Sequence, residues 1–219
     1  MHSTVKNLLE IENNIKVNLI KLNINNYPKI IAVSKTFKIE KILPLVEYGH
    51  IDFGENKVQE AAEKWEKIKK INPEIKLHMI GKLQTNKVKL AVQLFDYIHS
   101  VDNEKLAKKI ADEQNKINKK IKIFLQVNIG DESQKSGINK NDLSQLVSYC
   151  KKIDLNIFGL MCIPPTNIDP EKYFKEMNKL NKSLGFKELS MGMSSDFLQA
   201  VKHLSTYVRI GSSIFGQRS

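Results

Sequence analysis

Arginine is almost missing from this chain of 219 residues: among its 35 lysines and arginines, only Arg209 and Arg218 are arginine. Cysteine is equally scarce. Cys150 and Cys162 are too few for a disulfide framework and have no metal-ligand spacing, so no metal site is expected and a reducing cytoplasm is the simplest compartment. No apolar run approaches the ~18–20 residues needed to span a bilayer, which excludes a membrane-spanning helix. The N-terminus, MHSTVKNLLEIENNIKVNLIKLN, has no cationic start followed by an apolar block and a small-residue cleavage site. It reads as an amphipathic helix, not a signal peptide. Walker, zinc and Ser-His-Asp signatures are also absent.

Charge of one sign dominates, with a formal net charge of +11. That balance suggests nucleic acid, yet no aromatic-basic platform accompanies it, and the lysines are spread along the chain beside glutamates, as in EKWEKIKK. Inflated lysine, asparagine and isoleucine with vanishing arginine is the mark of AT-biased codons. Nucleic acid is therefore not an expected partner.

Short β-branched runs alternate with segments of helical period. The strand candidates are KIIAVSKT, HIDFGEN, KLHMIGK, FDYIHSVD, KIFLQVNIG, NIFGLMCIPP, KELSMGM and TYVRIGSSIFG. Amphipathic stretches fall between them at 39–48, 56–70, 84–94, 104–117, 139–151, 170–184 and 195–203, with one more helix ahead of the first strand. Strands apolar on both faces and separated by helices imply a parallel sheet with right-handed crossovers. Eight such units favour a closed (β/α)8 TIM barrel. An open doubly wound sheet would call for a glycine-rich turn after the first strand, where this chain has Ser34-Lys35-Thr36. Without a composition shift or linker, residues 1–219 are expected to form one domain.

Function in such barrels sits where the strands end. Polar and small residues gather there: Ser34-Lys35-Thr36, Gly54-Glu55-Asn56, Ser100-Val101-Asp102, Gly192-Met193-Ser194-Ser195 and Arg209-Ile210-Gly211-Ser212-Ser213. Two of these ends, GMSSDF and VRIGSSIFG, turn from strand into helix on small residues, an arrangement that offers free backbone N–H groups and hydroxyls to a phosphate. Taken singly, Ser194 and Ser212 read as helix N-caps; as a pair flanking the barrel closure they favour phosphate.

Lys35 ends the first strand. Partial desolvation there lowers the pKa of an amine and favours Schiff-base chemistry with an aldehyde, although a lysine simply capping a strand fits the position equally well. Arg209 shifts the balance, because an arginine retained at a buried strand end supplies a planar, permanently charged donor that lysine cannot. The competing role for it is a structural pair with a carboxylate such as Asp196. His78 and His99 read as satisfied core or edge histidines, Cys162 as a small core residue, and Asp52, Asp96 and Asp102 as too scattered for a paired-carboxylate site.

The segments IAVSKTF, FGENKVQEA, HMIGKLQTNKVK, SVDNEKLA, LQVNI, KSGI, GLMCIPP, LSMGMSSDF and VRIGSSIFG resemble, in order, those of the pyridoxal phosphate homeostasis proteins, over residues 29–218. The resemblance implies the fold of the alanine racemase N-terminal domain, a single barrel of fold type III holding pyridoxal 5'-phosphate (PLP). It implies that Lys35 carries PLP as a Schiff base, that Ser194, Gly211 and Ser212 hold the phosphate, that Arg209 faces the pyridine nitrogen and that Asn56 lines the pocket near the ring. A permanent cation beside that nitrogen opposes its protonation, so the cofactor is a weak electron sink. The implied role is a monomeric carrier or buffer of PLP without established turnover, with PLP-dependent apo-enzymes as transient partners. The alternative is a small racemase-like enzyme, which needs a second base from a C-terminal domain; a chain ending at GQRS is not expected to have one. Lys82 and Ser195 depart from the family pattern, and Lys135 in QKSGI is a hypothetical second transient site.

Overall fold

The computed structural model describes residues 1–132, 134–166 and 168–217. Eight parallel strands close into a barrel in chain order: β1 Lys29–Val33, β2 Asp52–Glu55, β3 Lys76–Met79, β4 Tyr97–Val101, β5 Lys122–Val127, β6 Ile157–Cys162, β7 Glu188–Met193 and β8 Tyr207–Ile210. Closure runs through β1 and β8, where Ile31 pairs in register with Arg209. This is the (β/α)8 barrel that the alternating pattern called for.

The helices are α1 Ser3–Lys21, α2 Ile39–Tyr48, α3 Val58–Ile71, α4 Val88–Leu94, α5 Glu104–Lys116, α6 Leu143–Lys152, α7 Glu171–Ser183, α8 Phe197–Lys202 and α9 Ser212–Phe215. Their outer faces absorb the lysines, often in pairs one turn from an acid: Lys109 and Lys116 both reach Glu113, and Lys108 reaches Asp112. None of the described helices is long and apolar enough to cross a membrane.

Two apolar layers hold the barrel. The outer one packs Val5, Leu8, Ile11, Ile15 and Leu19 of α1, at three- and four-residue spacing, together with the inward faces of the other helices against the strands. The inner one fills the barrel with Ile31, Val33, Tyr97, Phe124, Met161 and Tyr207. Polar side chains interrupt this inner layer: His78, His99 and Ser190 are fully buried, and Asp52 and Arg209 nearly so.

The strand candidate TYVRIGSSIFG turns into a helix, as its small residues suggested: β8 stops at Ile210, and Ser212–Phe215 forms the short helix α9. The four-residue strand is enough to reach the rim, and the small residues after it permit the turn. α1 fixes that turn from outside, since the Asn7 side-chain amide donates to the Ile214 carbonyl at 2.9 Å. Other boundaries differ by a few residues, and the segments at 84–94 and 139–151 open with 3-10 turns at Thr85–Lys87 and Lys140–Asp142.

The β6–β7 pairing leaves no room at Gly159, where an added Cβ would lie 1.8 Å from the Glu188 carbonyl oxygen. Gly159→Ala should therefore lose about 1–3 kcal/mol of stability, as overpacking does. Denaturant unfolding measures it, and an unchanged midpoint would contradict the close approach.

Candidate functional site

Lys35, Asn56, Ser194, Arg209, Gly211 and Ser212, the six residues nominated from sequence, all border one cavity of about 570 Å³ at the C-terminal ends of the strands. Val33, Ile80, Ile163 and Met193 add an apolar wall. A slightly larger cleft of about 610 Å³ lies elsewhere, lined by side chains of α5, Tyr149 of α6 and the turn before α4. It lacks comparable convergence of strand ends.

The half-buried Lys35 stands in a turn whose two neighbours are both clamped. On one side, Ser34 receives Lys64 Nζ on its carbonyl at 2.9 Å and gives its hydroxyl to Glu55 Oε1 at 2.7 Å. On the other, Thr36 adopts a left-handed backbone, φ +68°, and its N–H donates to Glu60. Glu55 Oε1 also accepts from Trp65 Nε1 and Lys64 Nζ, each at 3.0 Å. Burial nevertheless pushes the Glu55 carboxyl above its ordinary range against those bonds, and its other oxygen, Oε2, has no partner among the described residues. This clamp was not foreseen. Its signals in the sequence were a glutamate inside the buried run FGEN and a Glu60–Lys64 pair one helical turn apart.

At the opposite wall, Ser194 and Ser212 are not the N-caps that their spacing allowed. Those positions belong to Asp196 for α8 and Gly211 for α9. The Ser194 hydroxyl oxygen instead accepts from the backbone N–H groups of Gly211 at 3.2 Å and Ser213 at 3.4 Å, which ties the two turns together. An oxygen is thus already held between two amide donors. Gly192, at φ +90°, makes the first turn possible, and a Cβ there would lie 2.6 Å from Ala200 Cβ.

Arg209 does not pair with Asp196, which accepts from the Met193 N–H at 2.6 Å instead. Its Nη1 donates to Ser190 Oγ at 2.8 Å and its Nη2 to the Cys162 carbonyl at 2.9 Å. Among the described residues no carboxylate lies within ion-pair distance of it, and burial presses its pKa down. From Ser190 the contacts continue across the barrel: Ser190 Oγ to His99 Nδ1 at 2.9 Å, His99 Nε2 to His78 Nδ1 at 3.0 Å, and His78 Nε2 to Asp52 Oδ1 at 2.9 Å. His78 and His99 are core histidines, as expected, but they belong to a connected polar chain that local spacing did not reveal. Burial holds His99 well below the usual imidazole value, with His78 and Arg209 adding to the effect. Burial also lowers His78, against its bond to Asp52. Cys162 is buried and its thiol is pushed up to about 12, consistent with an inert core role.

Asn56 sits where a Cβ on Gly81 would lie 2.4 Å from the Asn56 carbonyl, so glycine alone lets these two rim segments meet. Beyond it a smaller cavity of about 280 Å³ is bordered by Lys82, Gln126 and Lys135. Lys135 is ion-paired to Glu132 at 2.7 Å and donates to the Pro164 carbonyl at 3.2 Å. It therefore lies next to the main cavity without bordering it.

The family model described as alanine racemase, N-terminal domain, matches residues 7–219. A pyridoxal phosphate homeostasis protein of Pasteurella multocida is 37% identical over 201 residues, covering 87% of this chain and 86% of that protein. The protein of the same name from Escherichia coli K12 is 33% identical over 199 residues, covering 86% and 85%. Among solved structures, PipY of Synechococcus elongatus PCC7942, with PLP bound, superposes with a TM-score of 0.82 at 32% identity, covering 92% of this chain and all of that one. Alanine racemase of Clostridium difficile 630 shares the fold alone, with a TM-score of 0.70 at 14% identity, and this chain spans 57% of its length.

The buried imidazoles set a pH dependence. Unfolded histidines take a proton near the ordinary value of 6.5, which His78, His99 and the likewise depressed His50 refuse when folded. Below that value the unfolded state binds more protons, so stability falls with pH by up to about 1.4 kcal/mol per pH unit for each such group. Thermal melts of the cofactor-free protein from pH 8 to 5 should drop below pH 6.5; a flat profile would contradict neutral buried imidazoles.

Proposed function

The chain belongs to the pyridoxal phosphate homeostasis family, built on the alanine racemase N-terminal domain, and from that premise we propose that it binds PLP in the 570 Å³ cavity and serves its storage and delivery. One observation carries this: an amine, a backbone amide at Gly211 already gripping the Ser194 hydroxyl oxygen, and a buried guanidinium without a carboxylate partner among the described residues border a single cavity. PLP presents an aldehyde, a phosphate dianion and a pyridine ring, and so matches that donor set group for group. Bound PLP supplies an aldehyde for a lysine amine and a ring able to accept electrons.

Each residue then has a task. Lys35 holds the cofactor covalently as a Schiff base, with its backbone fixed by Ser34, Glu55, Lys64 and Glu60. Ser194, Gly211 and Ser212 bind the phosphate, joined by the Ser213 N–H, which the sequence had not singled out. Asn56 borders the ring. Arg209 keeps a permanent positive charge at the ring nitrogen and disfavours a proton there, which weakens the ring as an electron sink.

That weakness supports a carrier over a catalyst. Among the described residues bordering the cavity, Lys35 brings the lone amine and none is a carboxylate, imidazole, thiol or phenol, whereas racemisation needs a base on each face of the substrate. Nothing specific in the site favours the racemase-like alternative. We place the protein in the cytoplasm as a single-domain monomer over residues 1–219, handing PLP to apo-enzymes in transient encounters. Cys150 and Cys162, both free thiols, accord with a reducing compartment.

Purified wild-type protein given PLP should absorb near ~420 nm, as lysine-linked cofactors do, and yield a borohydride-fixed adduct at Lys35 by mass spectrometry. Lys35→Ala should give neither. A wild type that takes up no PLP, or a Lys35→Ala protein with the same fixed adduct, would overturn the assignment.

A further inference from the structure

We propose that Asp52, His78, His99 and Ser190 form a one-way hydrogen-bond relay across the barrel that positions Arg209 and preserves its field at the cofactor's ring nitrogen. They are positioning residues, and the inference rests on the cofactor reading above.

The direction of the relay follows from its ends. A carboxylate only accepts, so His78 Nε2 carries a proton and donates to Asp52 Oδ1 over 2.9 Å. A neutral His78 then offers Nδ1 as acceptor, and His99 Nε2–H donates to it over 3.0 Å. His99 Nδ1 must in turn accept, and the Ser190 hydroxyl supplies that proton over 2.9 Å. The hydroxyl's lone pair is left to receive Arg209 Nη1–H at 2.8 Å. Each proton has one place, and no link has to donate and accept in the wrong sense. Arg209 Nη2, bound to the Cys162 carbonyl at 2.9 Å, fixes the guanidinium at a second point.

The packing holds this order in place. His78 and His99 are fully buried, His78 stacks on Tyr97 at 4.2 Å between centroids, and His99 stacks on Phe124 at 4.3 Å. Tilting either ring out of its plane would break its stack. The five residues come from β2, β3, β4, β7 and β8, so the chain spans the barrel interior and does not run along any one strand.

The electrostatic consequence is specific. Each imidazole turns its acceptor nitrogen toward Arg209 and its N–H toward Asp52, so the dipoles stabilise the cation at one end and the anion at the other. A carboxylate placed directly on Arg209 would stabilise the cation equally well but would cancel its field at the ring nitrogen. Moving the negative charge to the far side of two neutral rings satisfies the buried guanidinium and leaves that field in place. A core-filling role alone does not account for five strands each giving up an apolar position to one connected chain, since a partly satisfied polar network is worse than apolar packing.

The test uses Ser190→Ala, which cuts the relay beside Arg209, and Asp52→Asn, which removes the charge at its far end. Circular dichroism and melting of the cofactor-free proteins confirm folding, and nitrogen-15 NMR of the histidines reports the tautomers. Both rings should be neutral with the proton on Nε2 in the wild type. Both variants should still give the borohydride-fixed adduct at Lys35. The absorption band of their bound PLP should move from the wild-type position, and PLP should dissociate about tenfold faster, the loss expected for one charge-assisted hydrogen bond. Folded variants with wild-type band and dissociation rate, or a wild-type His99 carrying its proton on Nδ1, overturn the relay alone. A wild type that binds no PLP overturns the cofactor reading and the relay together.

Discussion

A guanidinium buried in a barrel, with no carboxylate among the described residues against it, is the constraint on which the rest of this molecule turns. Removing such a charge from water is expensive unless hydrogen bonds and dipoles replace the lost solvent. Here Ser190, the Cys162 carbonyl and the two imidazoles leading to Asp52 do so, and they occupy interior positions that a barrel normally fills with branched apolar side chains. The polar seam through the inner core, the depressed histidines and the cation facing the cavity are one electrostatic solution.

The lysine wall obeys a different constraint. Lys35 lies just past β1, where the backbone has left the sheet and would be free to fray. The clamp from α3 removes that freedom: Lys64 and Trp65 grip Glu55, Glu55 grips Ser34, and Glu60 grips the Thr36 N–H. An amine on a loop becomes an amine on a scaffold. At the other wall α1 does the same for α9 from outside the barrel, through Asn7. On the proposed reading, both ends of the cofactor are thus met by turns whose backbones are tied to helices.

Much of this was legible in the sequence, for identifiable reasons. Eight β-branched runs separated by amphipathic segments fixed the barrel, because strand burial on both faces and helical period are local signals. The rim residues were legible because a parallel barrel sends all its strand ends to one side, so Lys35, Asn56, Ser194, Arg209, Gly211 and Ser212 had to lie on the same rim. What remained hidden is non-local. The hydrogen bonds from Asp52 to Arg209 join residues up to 91 positions apart, and no period in the chain encodes which interior side chains touch. Asp196 was a reasonable partner for Arg209 by proximity in sequence, yet the backbone of its own turn claimed it first. The turn into α9 was legible from its small residues, but a four-residue helix has too few positions to show a period, so its extent was not.

The most direct test of the account is the protonation state of the ring nitrogen of PLP bound to the protein, read by nitrogen-15 NMR with ring-labelled cofactor at pH 7. A permanent cation held at that nitrogen predicts an unprotonated ring. A resonance showing a protonated ring nitrogen would contradict both the placement proposed for Arg209 and the reason offered for proposing a carrier.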